Sequence, residues 1–408
     1  MDHAMERDEQ KLQREYADEL SLLANEETED YILLNLKKVL QHRKKFNLPV
    51  IGIAGAEGKS TTKRMLAKIL EPQGPVLQTP IHCTTTTGVT TTLLKLDKTI
   101  RYALLELGIV NPVQFEMAVQ VAQPNVAIIT NIGEAHLATE GDRYLLADAK
   151  VELVRNLPPD GFAILNMDDD LVSAMERFSP TPRVIKFGLN PNAHFYASDL
   201  KYLGPEGIEF KVNNFYPIRL HVYNSGFIYN ALAAIAAARV FGVDFDQIKQ
   251  QLEQFTVPQH RGNLISINDV HILDYTYDAR INSVNRAAES LVQFKPYAQK
   301  LVMVIGGVSD PGPRISESHL KIGFYLAALP IDVIITVGEH GADILRGIRQ
   351  INHAHKVLKH CAHVADLPQV LKPFLSPGTA MLITGSRSLH LERVMELLPD
   401  IVPAPAMV

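Results

Sequence analysis

The chemistry in this chain starts at residues 51–62, Ile-Gly-Ile-Ala-Gly-Ala-Glu-Gly-Lys-Ser-Thr-Thr. An apolar strand, Val50 to Ala54, runs into a turn framed by Gly55 and Gly58, and Lys59-Ser60-Thr61-Thr62 opens a helix. Phosphate binding needs these parts: inward-pointing backbone N–H groups, a helix N-terminus, a lysine for charge and a hydroxyl for a magnesium ion. The pattern predicts ATP bound along Gly55, Glu57, Gly58, Lys59, Ser60 and Thr61, with Lys59 on the β/γ-phosphates and Ser60 on Mg²⁺. The generic P-loop has a further glycine where this chain has Ile53, so the match is partial. The bland alternative is a tight strand-to-helix turn with a surface lysine.

The elements that must position this loop follow from pattern. From Val50 onward, apolar strands alternate with helices: strands at Arg101–Leu107, Asn125–Ile132, Phe162–Asn166 and Arg183–Phe187, helices at Pro112–Ala122 and Tyr144–Asn156. That alternation predicts an α/β fold with a mainly parallel sheet. Residues 194–222 alternate apolar and polar and read as antiparallel strands. A boundary falls near Pro258-Gln259-His260-Arg261-Gly262, after which strand and helix alternate again. The expected organisation is a helical segment over 1–48, a central P-loop domain over 49–259 and a Rossmann-like α/β domain over 260–408. Residues 1–46 are charged and helix-prone, with apolar Leu20, Leu23, Ile32, Leu33, Leu36 and Leu40 suggesting amphipathic packing helices.

Composition narrows the class. The chain has 408 residues, 46% hydrophobic and 21% charged, typical of a water-soluble multidomain protein. A net charge of -5 gives no electrostatic reason to expect nucleic acid. Cys83 and Cys361 cannot build a disulfide framework or a cysteine zinc site, which fits a reduced cytoplasmic setting. The acidic, polar N-terminus does not read as a signal peptide. The long apolar run from Phe227 to Val243 carries Asn230 and Arg239 and reads as a buried helix, not a membrane span. The acidic run Asp168-Asp169-Asp170 reads as a solvated turn.

The order of motifs resembles the Mur ligases, closest to the muramoyl-tripeptide:D-alanyl-D-alanine ligase branch. Ala54 to Thr62 is similar to that family's shortened P-loop. Leu105-Glu106-Leu107-Gly108 matches its strand-end glutamate, and Thr130-Asn131-Ile132-Gly133-Glu134-Ala135-His136-Leu137 its metal-site histidine. Ala149-Lys150-Val151-Glu152 matches the segment with a carbamylated lysine, and Asn230-Ala231-Leu232-Ala233-Ala234 the asparagine helix near the adenine. Arg261 stands at the domain junction, Asp274 to Ala279 opens the last domain, and Gly385-Ser386-Arg387 with Glu392 and Arg393 is similar to its closing motif.

The resemblance implies an ATP-dependent carboxylate–amine ligase that works through an acyl phosphate. It implies two Mg²⁺ ions near Ser60, Glu106, His136 and a carbamate on Lys150, with Lys59, Glu106, His136 and Lys150 catalytic. Nucleotide contacts fall to Asn230, Arg261 and Asp274, and substrate contacts to Thr84, Thr87, Arg280, Ser386 and Arg387. Partners are then small-molecule or peptide substrates, without nucleic acid or membrane insertion; oligomeric state stays open.

Three departures matter. Fewer than fifty residues precede the loop, too few for the family's UDP-sugar domain, so the expected ligase lacks it and takes another substrate. Arg280-Ile281 stands where the branch has Asn-Pro, and Thr84 to Thr87 where it has Asn-Asn. The rival expectations are a chain extender of the poly-γ-glutamate or folylpolyglutamate type and a non-catalytic ATP-binding regulatory subunit.

Overall fold

The computed structural model describes residues 29–81, 83–108, 112–132, 143–277, 279–309, 314–351 and 355–403. Two sheets organise them.

The first sheet has nine strands in the order β2-β3-β1-β4-β5-β6-β7-β8-β9. These are β1 (Val50–Ala54), β2 (Val76–Gln78), β3 (Tyr102–Glu106), β4 (Val126–Ile129), β5 (Phe162–Asn166), β6 (Val184–Gly188), β7 (Phe195–Tyr202), β8 (Ile208–Val212) and β9 (Tyr216–Leu220). All pairings from β2 through β7 are parallel, and β7-β8-β9 form the antiparallel end read from the alternation over 194–222. β1 is buried at every residue, because helices cover both faces of a parallel sheet and its strands read as apolar runs.

One face of β1 packs through Ile51 and Ile53 under helices α2 (Lys59–Leu70) and α7 (Gly226–Val240). The other packs through Val50 and Ala54 under α3 (Thr86–Leu93), α4 (Pro112–Ala122) and α5 (Arg143–Arg155). α7 is the apolar run Phe227 to Val243, and it lies inside the first core. Among the described residues no helix is long and apolar enough to cross a membrane. The N-terminal helix α1 (Glu29–Arg43) docks on α3 and α4 through Leu36 and the buried Val39. His42 Nε2 meets Leu96 O at 3.0 Å, and Arg43 donates to Ala122 O at 3.4 Å and Phe46 O at 2.7 Å. Leu20 and Leu23 lie outside the described residues.

Strand order places the site. β1 sits between β3 and β4, so the chain leaves β1, builds one side of the sheet, and crosses back to the other. The loops after β1, β3 and β4 therefore converge at one carboxyl edge, the switch point where open α/β sheets bind ligands.

The second sheet has six strands, ordered β10-β11-β15-β12-β13-β14. They are β10 (Asn263–Ile267), β11 (Val270–Tyr275), β12 (Lys300–Ile305), β13 (Val333–Val337), β14 (Val357–Cys361) and β15 (Thr379–Thr384). Only the β10–β11 hairpin is antiparallel. Helices α9 (Ile281–Val292), α10 (Ile315–Ala328) and α11 (Glu339–Arg349) cover one face. Strands β2, β10 and β14 and helix α3 have no counterpart in the sequence reading: β2 spans three residues, and β14 carries the polar pair Lys359-His360 with Val357 exposed. Short or edge strands need few apolar residues, so pattern misses them.

α10 and α11 approach closely because glycines face each other. A Cβ on Gly323 would lie 2.2 Å from Ile344 O, and one on Gly347 2.4 Å from Leu320 O. Gly323→Val must push backbone apart, so chemical denaturation should show a loss of about 2–3 kcal/mol. An unchanged midpoint would show that these helices are not packed this tightly.

Candidate active site

The loop after β1 is built to present its amides. Gly58, the residue before α2, has φ 81°, a left-handed conformation that glycine adopts without strain. Asn230 of α7 fills the space beside it: a Cβ on Gly58 would fall 2.2 Å from Asn230 Oδ1. The loop is held from the other side by the end of β4. Ala56 N–H donates to Asn131 O at 2.8 Å, Glu57 N–H to Asn131 Oδ1 at 3.0 Å, and Thr130 Oγ1 to Glu57 O at 2.6 Å. Lys59 folds back and donates to Gly55 O at 2.8 Å and Ala56 O at 3.0 Å.

The loop and β3 meet at a carboxylate. Ile53 and Glu106 are register partners, which carries the β3 terminus beside the start of α2. Ser60 Oγ donates to Glu106 Oε1 at 2.8 Å, and Lys63 Nζ pairs with Glu106 Oε2 at 3.0 Å, both charged side chains at most 4% exposed. Lys63 also donates to Thr79 O at 2.7 Å. Burial alone would push the Glu106 carboxyl upward. The charges of Lys63 and Lys59 and the hydrogen bonds from Ser60 and Lys63 outweigh it and hold Glu106 below the usual carboxylate range. Lys63 escaped the sequence reading because it falls past the motif, on the helix face that would otherwise be read as core.

A cleft of about 580 Å³ opens over this cluster. Its walls include Lys59, Ser60, Thr84, Glu106 and Lys150 from the first sheet, and His260, Arg261, Tyr277 and Arg280 from the second. Lys150 is buried on α5 with 4% of its surface exposed. Thr84 O accepts from Gly108 N–H at 2.8 Å, which seats the threonine loop over the β3 terminus. A second cleft of about 520 Å³ adjoins it and shares Glu57, Gly58, Thr61 and Arg261. Asn230, Tyr229 and Asp168 belong to its lining.

The structure thus gathers the loop residues, Glu106, Lys150, Thr84, Arg261 and Arg280 at one cleft and Asn230 at its neighbour. His136 lies outside the described residues. Four expected contacts, Asp274, Thr87, Ser386 and Arg387, line neither cleft. Asp274 is only 1% exposed and forms neither cleft wall; its carboxylate takes His260 Nδ1 at 2.8 Å and Thr276 Oγ1 at 2.7 Å. Those bonds hold the junction loop to the end of β11. Thr87 lies within α3, where its carbonyl accepts from Thr90 and Thr91 hydroxyls at 2.8 Å. Ser386 bonds Ser388 at 3.0 Å, and Arg387 packs on the Tyr277 ring at 4.8 Å, beside Arg261 at 3.9 Å.

The acidic run is more ordered than a solvated turn. Asp169 accepts from Ile132 N–H at 2.8 Å and caps the short helix α6 (Asp170–Ser173) through Val172 N–H at 3.1 Å. Asp168 accepts from Asn190 N–H at 3.2 Å and Tyr229 Oη at 3.0 Å, while Asp170 pairs with Arg143 at 2.9 Å.

The donors suit a nucleotide with a hard cation. Two oxygens, Ser60 Oγ and a Glu106 carboxylate kept ionised, stand 2.8 Å apart beside a glycine-framed helix N-terminus. Among the described residues no cluster of three or more His, Cys, Asp or Glu side chains forms a metal cage of its own. Magnesium, which keeps waters and shares phosphate oxygens, needs no such cage.

Comparison with known proteins agrees with this geometry. Residues 53–238 match the Mur ligase middle domain, and residues 260–387 the Mur ligase glutamate ligase domain. The UDP-N-acetylmuramoyl-tripeptide–D-alanyl-D-alanine ligase of Bacillus subtilis is 29% identical over 362 residues, which cover 87% of this chain and 76% of that enzyme. A crystal structure of MurF from Acinetobacter baumannii superposes with a TM-score of 0.79 at 30% identity, over 90% of this chain and 80% of that one. MurF from Thermotoga maritima, solved with ADP, shares the fold at 24% identity and a TM-score of 0.76. The chain belongs to the Mur ligase family of ATP-dependent enzymes that form carbon–nitrogen bonds.

Lys63 offers a direct test of the buried cluster. Lys63→Met strands a buried carboxylate and should cost about 3–5 kcal/mol in denaturant unfolding. A Lys63→Met/Glu106→Leu double variant should recover much of that loss. Equal losses in both would mean the two groups are not coupled.

Proposed function

We propose that this chain joins a carboxylate to an amine at the cleft between its two sheets, using ATP to make an acyl phosphate first. The substrate is a cell-wall peptide or a related acid. The observation that carries this reading is a single cleft with Lys59, Ser60 and Glu106 on one wall and Arg261, Tyr277 and Arg280 on the other. Phosphoryl chemistry on the first wall and substrate groups on the second are what such a ligase requires.

A carboxylate is a poor acyl donor, because oxide leaves badly. Phosphorylation converts that oxygen into a good leaving group, and the reaction needs positioning and charge neutralisation above all. In our reading the amides at Gly58 to Ser60 and the Lys59 ammonium bind the phosphates, once Lys59 swings off the Gly55 and Ala56 carbonyls. Ser60 and Glu106 would hold a magnesium ion, which would supply charge stabilisation to the transferring phosphoryl group. His136 and a carbamate on Lys150 are proposed for a second ion. The carbamate would turn a repelling ammonium into an oxygen ligand, and Lys150 lies on the cleft wall with 4% of its surface exposed.

The adenine is assigned to the Asn230 side, beside the neighbouring cleft. Arg261 and Arg280 form the positive wall for the acid and the amine-bearing partner, with Arg387 on Tyr277, and guanidinium at Arg280 favours a partner with its own carboxylate. The division into a central domain over 49–259 and a last domain over 260–408 assigns ATP to the first and the amine to the second. An acyl phosphate made from cellular ATP places the reaction in the cytoplasm.

The test is product chemistry. With ATP, magnesium and a panel of acids and amines, phosphate release should depend on both. Oxygen-18 in the carboxylate should appear in the released phosphate, and Lys59→Ala should lower kcat at least about 100-fold. Phosphate release that never responds to any amine would contradict the proposal. Product mass separates a single addition from a polymer ladder. Labelled bicarbonate appearing on Lys150 would support the carbamate, and its absence from active enzyme would remove it.

A further inference from the structure

The loop that fits a polyanion carries an acid. Glu57 lies between Ala56 and Gly58, and its peptide group is tied on both sides. Its N–H donates to Asn131 Oδ1 at 3.0 Å, and its carbonyl accepts from Thr130 Oγ1 at 2.6 Å and Asn131 Nδ2 at 3.1 Å. With that backbone fixed, the carboxylate stays at the phosphate loop. There it opposes the positive potential that the helix terminus and Lys59 provide.

The compensating charge comes from the other sheet. Arg286, one turn along α9 from Ser283, pairs with Glu57 across the crevice. Glu57 borders both clefts and Arg286 the second, so the pair stands where they meet. The Arg286 and Glu57 side chains are 41% and 27% exposed, and an ion pair that open adds little to stability. Its consequence lies in what the loop can bind.

We infer that Arg286 is a positioning residue for the nucleotide, neutralising Glu57 from the second sheet so that the loop accepts phosphate. The loop then reaches full affinity only while α9 is docked against it, which couples nucleotide binding to the approach of the two sheets. This rests on the reading of the loop as the ATP site and adds a residue and a charge balance to it.

A double-mutant cycle on the full chain tests the inference. ADP and ATP, each with and without magnesium chloride, are titrated calorimetrically into wild type, Arg286→Ala, Glu57→Gln and the double variant. Arg286→Ala should weaken binding roughly tenfold, and more at low salt. In the Glu57→Gln background, taken with its own affinity as reference, the Arg286→Ala change should cost no more than about threefold. Arg286→Lys should recover most of the loss, since charge and not fork geometry is the requirement.

Two results overturn the inference: no loss in Arg286→Ala, or the same loss in the Glu57→Gln background, which would put Arg286 on the nucleotide itself. Melting temperatures of all variants separate misfolding from weak binding, and Arg286→Gln with Glu57→Gln repeats the cycle if Arg286→Ala fails to fold. Wild type that binds neither nucleotide refutes the ATP site instead, a distinguishable result.

Discussion

The site depends on one buried carboxylate. Glu106 closes β3 at the point where the loop after β1 turns into α2, and it is gripped there by Ser60 on one oxygen and Lys63 on the other. Two charges taken out of water are costly, and only tight mutual pairing with further hydrogen bonds offsets that cost. Lys63 meets the condition through Thr79, so the pair ties β3, α2 and the segment after β2 together. The result is an ionised carboxylate with one oxygen aimed at a hydroxyl, beside the start of α2. In the proposed reading this cluster serves a cation and a phosphate.

The second sheet completes this arrangement by bringing positive groups to a loop it does not own. Asp274 locks His260 and Thr276, and the junction at His260-Arg261 is thereby held to the end of β11. Arg261 and Arg387 rest on the Tyr277 ring, which orders two flexible cations at once. Neither sheet has both halves of the chemistry. Lys59, Ser60 and Glu106 belong to one, Arg261 and Arg280 to the other, and the cleft lies between them.

Much of this was legible in the sequence, for identifiable reasons. Val50 to Ala54 reads as a buried strand because both its faces are covered, and Gly58-Lys59-Ser60 reads as a loop because few other arrangements need those residues in that order. Strand alternation gave the parallel sheets, and the turn-rich stretch 194–222 gave the antiparallel end. Glu106 and Lys150 were found through the family resemblance, and both line the cleft. What pattern could not supply was partnership. Lys63 and Arg286 look like ordinary helix cations until the fold places a carboxylate beside each. Asp274 has the right position for a ligand group, at a strand's carboxyl end, yet its oxygens are taken by His260 and Thr276. Hydrogen-bond allocation is a tertiary fact, and no periodicity encodes it.

A crystal structure of the chain with magnesium and a non-hydrolysable ATP analogue is the most direct measurement of the central claim. The account predicts the terminal phosphate against Lys59 and the Gly58–Ser60 amides, with an ion between Ser60 and Glu106 in place of their present hydrogen bond. A nucleotide bound away from this loop, or a loop left empty with Ser60 still bonded to Glu106 at saturating analogue, would contradict it.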